Sequence, residues 1–210
     1  MKKIDLAGWK RKEHYDFFSK MKSPTFGIVT EVNCDQCFKN TQKNGESFFA
    51  SYLHKSMIAV NAVDELKYRI VDDEIITYEQ VHAGITIGRA DETFGFGFVH
   101  FSSDFKTFNT QLQSEILAVK NSQGLRLNND DIKTDLIRHS TIPWNSFSGL
   151  LHPTNFDEKD SVPKITFGKF TIREGKRMLP LSIEAHHGLV DGIHIAKYLN
   201  EFQNQLNLLT

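Results

Sequence analysis

Between Leu179 and Gly192 the chain changes its hydrophobic period, and that change restricts the folds open to it. Leu179, Leu181, Ile183 and Ala185 recur at every second position, as in a strand with one buried face. Beyond Gly192 the apolar residues Ile195, Leu199, Phe202, Leu206 and Leu209 fall close to helical spacing. The short link between strand and helix holds His186, His187 and Asp191. His187 continues the apolar series of the strand, whereas His186 belongs with Ser182 and Glu184 on the other face. An imidazole ending a buried strand face is expected to be partly desolvated, which favours its neutral, basic form. Asp191, just ahead of the helix, is placed to cap it, orient the turn or hold a nearby cation.

The rest of the chain mixes both periods. Helices are expected over 10–21, with Tyr15, Phe17 and Phe18 as apolar face, over 35–44 up to Gly45, over 47–63 and over 103–120. Strands are expected over 25–32, 67–71, 74–78, 84–87 and 94–101, with Asp72-Asp73 as a tight turn. Residues 160–190 read as a hairpin turning at Arg173-Glu174-Gly175-Lys176. Helices and strands do not alternate strictly. The pattern therefore predicts an α/β (α+β) two-layer sandwich, a mixed sheet with helices mainly on one face. No linker or repeat divides the 210 residues, so they are expected to form a single domain, 1–210.

Charge narrows the function. Lys plus Arg number 25 against 26 Asp plus Glu, and no basic excess favours nucleic acid or a membrane surface as partner. No apolar run approaches the roughly 20 residues of a membrane span. The N-terminus is basic without an apolar stretch behind it, unlike a secretory signal, so a cytoplasmic location is expected. Cys34 and Cys37 form one dicysteine pair with no further ligands at zinc spacing, and no metal is expected. Gly95-x-Gly97 lacks a third glycine and a helix start, so it is no dinucleotide fingerprint. Lys120, Arg126, Lys133 and Arg138 read as solvated surface. The composition has one oddity, 17 Phe.

His186-His187-Gly-Leu-Val-Asp191-Gly192 resembles the HHxxxDG signature of chloramphenicol acetyltransferases. The likeness runs from about Trp9 to Leu206. Its further supports are Trp9 to His14, Asp64 to Arg69, Glu92-Thr-Phe94, Pro143-Trp144 and Thr166-Phe-Gly-Lys169, in the family's order and spacing. The resemblance implies transfer of the acetyl group of acetyl-CoA to a small-molecule hydroxyl, chloramphenicol being the type acceptor, in a ternary complex without an acyl-enzyme. It also implies a homotrimer with active sites between subunits.

By the same resemblance His187 is the general base, while Asp191 paired with Arg11 supports its loop. Thr166 holds a water near the intermediate, and Phe94 and Thr86 line the acceptor pocket. Phe18 stands where the family usually has Tyr. Lys22 and Lys164 replace apolar residues and make the pocket more polar. The family's oxyanion-stabilising Ser, five residues after the Trp, is Gly149 here, with Ser148 one position earlier. Either Ser148 takes over that role, or a backbone N–H or water does, or the enzyme is slow. These departures leave two other readings: an O-acetyltransferase with a different hydroxyl acceptor, and a weak homologue that binds CoA or another ligand without useful turnover.

Overall fold

The computed structural model describes residues 1–127, 133–153 and 160–209. Two sheets form. The smaller joins β1 (Lys2–Lys3), β4 (Glu74–Thr77) and β3 (Tyr68–Val71) in that order. Asp72 and Asp73 link β3 to β4 with φ of 49° and 63°, the left-handed pair required by a tight hairpin turn. The larger sheet runs β2 (Thr25–Asn33), β10 (Lys176–His186), β8 (Lys164–Gly168), β7 (Leu136–Ile142), β5 (His82–Gly88) and β6 (Phe94–Val99). Short β9 (Thr171–Arg173) pairs with β10. The β8–β7 and β7–β5 pairings are parallel and the others antiparallel, so the sheet is mixed as expected.

Period-2 alternation divides this sheet into two faces. On one, Leu179, Leu181, Ile183, Ile165, Phe167 and Ile137 join the buried core with α3 (Phe48–Asn61), α4 (Phe105–Lys120) and α5 (Gly192–Asn207). The helices start where capping chemistry allows: Ser47 accepts from the Ala50 N–H and Asp104 from the Thr107 N–H. The short α2 (Asp35–Asn44) ends at Gly45, whose φ of 68° suits a left-handed cap. Gly97 permits the close approach of α4 to β6, because a Cβ there would meet Glu115 Cγ at 2.9 Å. The glycines of Gly95-x-Gly97 thus serve packing.

Three expectations need correction. The first helix, α1, spans only Lys12–Phe18, and Phe17 is 61% exposed instead of belonging to an apolar face. Seven residues of amphipathic pattern could not decide that orientation. β7 was not foreseen, since Arg138 and His139 interrupt its apolar run. The second face of β10 is as buried as the first, with Ser182, Glu184 and His186 all covered. β10 is an interior strand between β2 and β8, so polar residues there are shielded by their neighbours. Among the described residues, no helix is long and apolar enough to cross a membrane.

Candidate active site

β10 ends at His186, and His187 begins the connection to α5. The His187 N–H donates to the Pro24 carbonyl at 2.8 Å, fixing the backbone beside the start of β2. Its half-buried ring stacks on Phe18, 4.1 Å between centroids at 21°, and packs against Phe26 at 4.4 Å. Nδ1 lies 3.2 Å from the Val190 carbonyl oxygen. A carbonyl only accepts, so this contact assigns the proton of the neutral ring to Nδ1 and its lone pair to Nε2. Sequence reasoning found Phe18 but missed Phe26, which is an ordinary strand residue until β2 is paired with β10.

Arg11 ties this connection together from the far end of the chain. Its Nη2 donates to the His187 carbonyl at 2.9 Å and to the Val190 carbonyl at 3.3 Å. Its Nη1 lies 3.6 Å from Asp191 Oδ2. Asp191 caps α5 by accepting from the Gly192 N–H at 2.6 Å, and its own N–H donates to His194 Nδ1 at 2.9 Å. The Gly192 hydrogen bond, with Arg11 and His187 adding to it, holds the Asp191 carboxyl below the usual range. His186 is the more deeply desolvated of the pair: burial, with His187 adding to it, pushes it down to about 4.

The sheet face away from α3, α4 and α5 bears a cavity of about 760 Å³. Thr86, Phe94, Phe96, Phe98, Trp144 and Thr166 contribute to its walls. Thr86, Phe94 and Thr166 are therefore brought together, while His187, Phe18, Arg11 and Asp191 form a second cluster outside the residues lining this cavity. Thr166 sits opposite Ser182 across the β8–β10 ladder, beside the strand that leads to His187. Lys164 lines this cavity and also a smaller adjoining one of about 230 Å³, which Lys22, Glu184 and His186 share. Arg126 and Arg138, read from sequence as solvated surface, also line the larger cavity, where they pair with Glu115 and Asp160.

Ser148 and Gly149 are exposed and line neither cavity, and a Cβ on Gly149 would meet nothing within 4 Å. His152 was indistinguishable from the other scattered histidines in sequence. It lines the larger cavity and contacts both Glu184 and Thr166. Cys34 and Cys37 are buried; desolvation and the neighbouring Cys37 thiol push Cys34 up to about 12. No group of three or more His, Cys, Asp or Glu among the described residues is arranged to hold a metal ion.

The fold is that of an acyltransferase, by its likeness to known proteins. A protein-family model for chloramphenicol acetyltransferase matches residues 1–203, and the chain belongs to that family. It is 28% identical to chloramphenicol acetyltransferase 3 of Escherichia coli, over 98% of this chain and 96% of the relative. Identity to the chloramphenicol acetyltransferase of Clostridium perfringens is also 28%, covering 98% of each chain. A solved chloramphenicol acetyltransferase superposes with a TM-score of 0.92 at 27% identity, covering 98% of this chain and all of that one. A probable dihydrolipoamide acetyltransferase from Listeria monocytogenes shares the fold at a TM-score of 0.66 and 14% identity.

Proposed function

We propose that this acyltransferase moves the acetyl group of acetyl-CoA to a hydroxyl of chloramphenicol, with His187 as general base. The observation that carries the reading is the Nδ1 contact to the Val190 carbonyl, which leaves the His187 lone pair on Nε2. Nε2 takes the proton of the acceptor hydroxyl as its oxygen attacks the thioester carbonyl. Collapse of the tetrahedral intermediate breaks the C–S bond, and the proton passes to the departing thiolate. No covalent enzyme intermediate is needed. Phe18 and Phe26 hold the ring, and Arg11 and Asp191 hold the loop that carries it.

The separation of His187 from the cavity containing Thr86, Phe94 and Thr166 supports a site completed between copies of the chain. Trp144 and Leu127 on the cavity wall are 73% and 68% exposed, and Phe94 is 45% exposed, apolar surface suited to a second copy. By the family resemblance the proposed assembly is a cytoplasmic homotrimer of single-domain subunits. Lys22 and Lys164 favour a second reading at the same base, an O-acetyltransferase for a more polar alcohol.

The test is release of CoA thiol on mixing the protein with acetyl-CoA and chloramphenicol, repeated with His187→Ala. The expected loss is about a thousandfold, within the usual span for removing a general base. Turnover that survives the substitution would sink the mechanism. Turnover confined to other alcohols would favour the second reading, and binding without thiol release would favour a ligand-binding homologue.

A further inference from the structure

The peptide unit between Val190 and Asp191 meets two histidines, one on each side. Its carbonyl accepts from His187, with Nδ1 3.2 Å away, and from Arg11 Nη2 at 3.3 Å. Its N–H donates to His194 Nδ1 at 2.9 Å. His194 sits in the first turn of α5, where it closes a capping box with Asp191 at the place usually held by Glu or Gln. The His194 ring is buried, and Nε2 lies 3.4 Å from Glu65 Oε1. A backbone N–H donates and a carboxylate oxygen accepts. Both contacts therefore assign the proton of the neutral ring to Nε2 and its lone pair to Nδ1.

A peptide bond is planar, so its C=O and N–H turn as one body. A hydrogen bond at the N–H fixes where the C=O points, and by polarisation it strengthens that oxygen as an acceptor. We infer that His194 is a positioning residue: by holding the Asp191 N–H it aims the Val190 carbonyl that keeps the His187 proton on Nδ1, and a proton gained by His194 disengages the base. A protonated His194 carries N–H on both ring nitrogens and turns one toward the Asp191 N–H, two donors facing each other. The charged groups around it are Arg11 ahead of α1, Glu65 ahead of β3, Asp191 at the α5 cap and Lys197 within α5. Burial, with Arg11 and Lys197 adding to it, outweighs Glu65 and Asp191 and leaves His194 below the usual range. The Nδ1 lone pair is thus present near neutral pH.

The role rests on His187 being the base, and two readouts keep the two ideas apart. Nitrogen-15 spectra of histidine-labelled protein report the His187 tautomer without turnover, its ring signals being identified by their loss in His187→Ala. Wild type is expected to show Nδ1–H. His194→Leu, which offers no acceptor, should mix in the Nε2–H form and lower kcat about tenfold at unchanged KM, the size of one net hydrogen bond. His194→Gln, whose amide oxygen accepts the same N–H without titrating, should restore Nδ1–H and most of kcat. The acid limb of kcat should fall with a two-proton slope in wild type and a one-proton slope in His194→Gln. A cap that serves only the fold lowers the melting temperature of His194→Leu and moves neither tautomer nor slope. Melting temperatures taken at each pH keep acid unfolding from being read as loss of the base.

Absence of thiol release from the wild type overturns the proposed reaction, while the nitrogen signals still report the His187 tautomer. A His194→Leu protein that keeps His187 in the Nδ1–H form, or a His194→Gln protein with the wild-type two-proton slope, overturns the inference. Should His194→Leu not fold, His194→Gln and its slope carry the test.

Discussion

At the residue scale two buried histidines, His139 and His186, tie stability to pH. His139 is 4% exposed, stacked on Phe167 with a 6.2 Å centroid separation, and pushed down to about 4 by burial. Its Nδ1 meets the Ile137 carbonyl, and its Nε2 has no hydrogen-bond partner among the described residues. His139 and His186 are held neutral in the fold and protonate readily once unfolded. Because their folded values lie below the unfolded 6.5, stability is full above about pH 6.5 and falls as pH drops toward 4. His139→Leu should flatten that decline by up to about 3 kcal/mol in urea unfolding. An unchanged slope would mean that His139 does not titrate between the two states. At Gly149 the space around the absent Cβ is open. If a missing donor limits the rate, Gly149→Ser should raise kcat roughly tenfold or more with an unchanged melting temperature. No change would show that another donor already serves the oxyanion.

Elements explain why parts of this site were legible in sequence and others were not. β10 and α5 could be read almost to the residue, because period-2 alternation, Asp191 and the following helical stripe agree with one another. The opposite face of β10 was misjudged, since burial of Ser182, Glu184 and His186 depends on β2, β8 and the neighbouring loops. Phe26 and His152 were missed for the same reason: each acquires its place only when distant strands pair. Arg11 is singled out in the sequence only by the family resemblance, because its contacts to His187 and Val190 lie 176 and 179 residues away. At this scale Asp191→Ala should cost about 1 kcal/mol through loss of the α5 cap, whereas Asp191→Asn, still an acceptor, should cost less. Both variants should lower kcat less than Arg11→Met, which strips donors from two carbonyls of the His187 connection. Equal kcat in wild type and Arg11→Met would separate that connection from catalysis.

At the scale of the whole molecule, α3, α4 and α5 pack on one face of the large sheet and an aromatic cavity lies on the other. Of the 17 Phe, Phe108, Phe167 and Phe202 are core, while Phe94, Phe96 and Phe98 wall the cavity. Arg69, wholly buried and held at about 9 by desolvation, joins the small sheet to the start of β7 by donating to the Thr134, Leu66, Tyr68 and Leu136 carbonyls. In the proposed assembly His187 of one copy serves the cavity of another. Co-expression of His187→Ala with Thr86→Trp, which fills the cavity, tests it most directly. Each variant alone should be inactive. Random mixing of equal amounts should restore about a quarter of the wild-type sites, those uniting an intact His187 with an intact cavity. Mixed assemblies that remain as inactive as either variant would contradict the account.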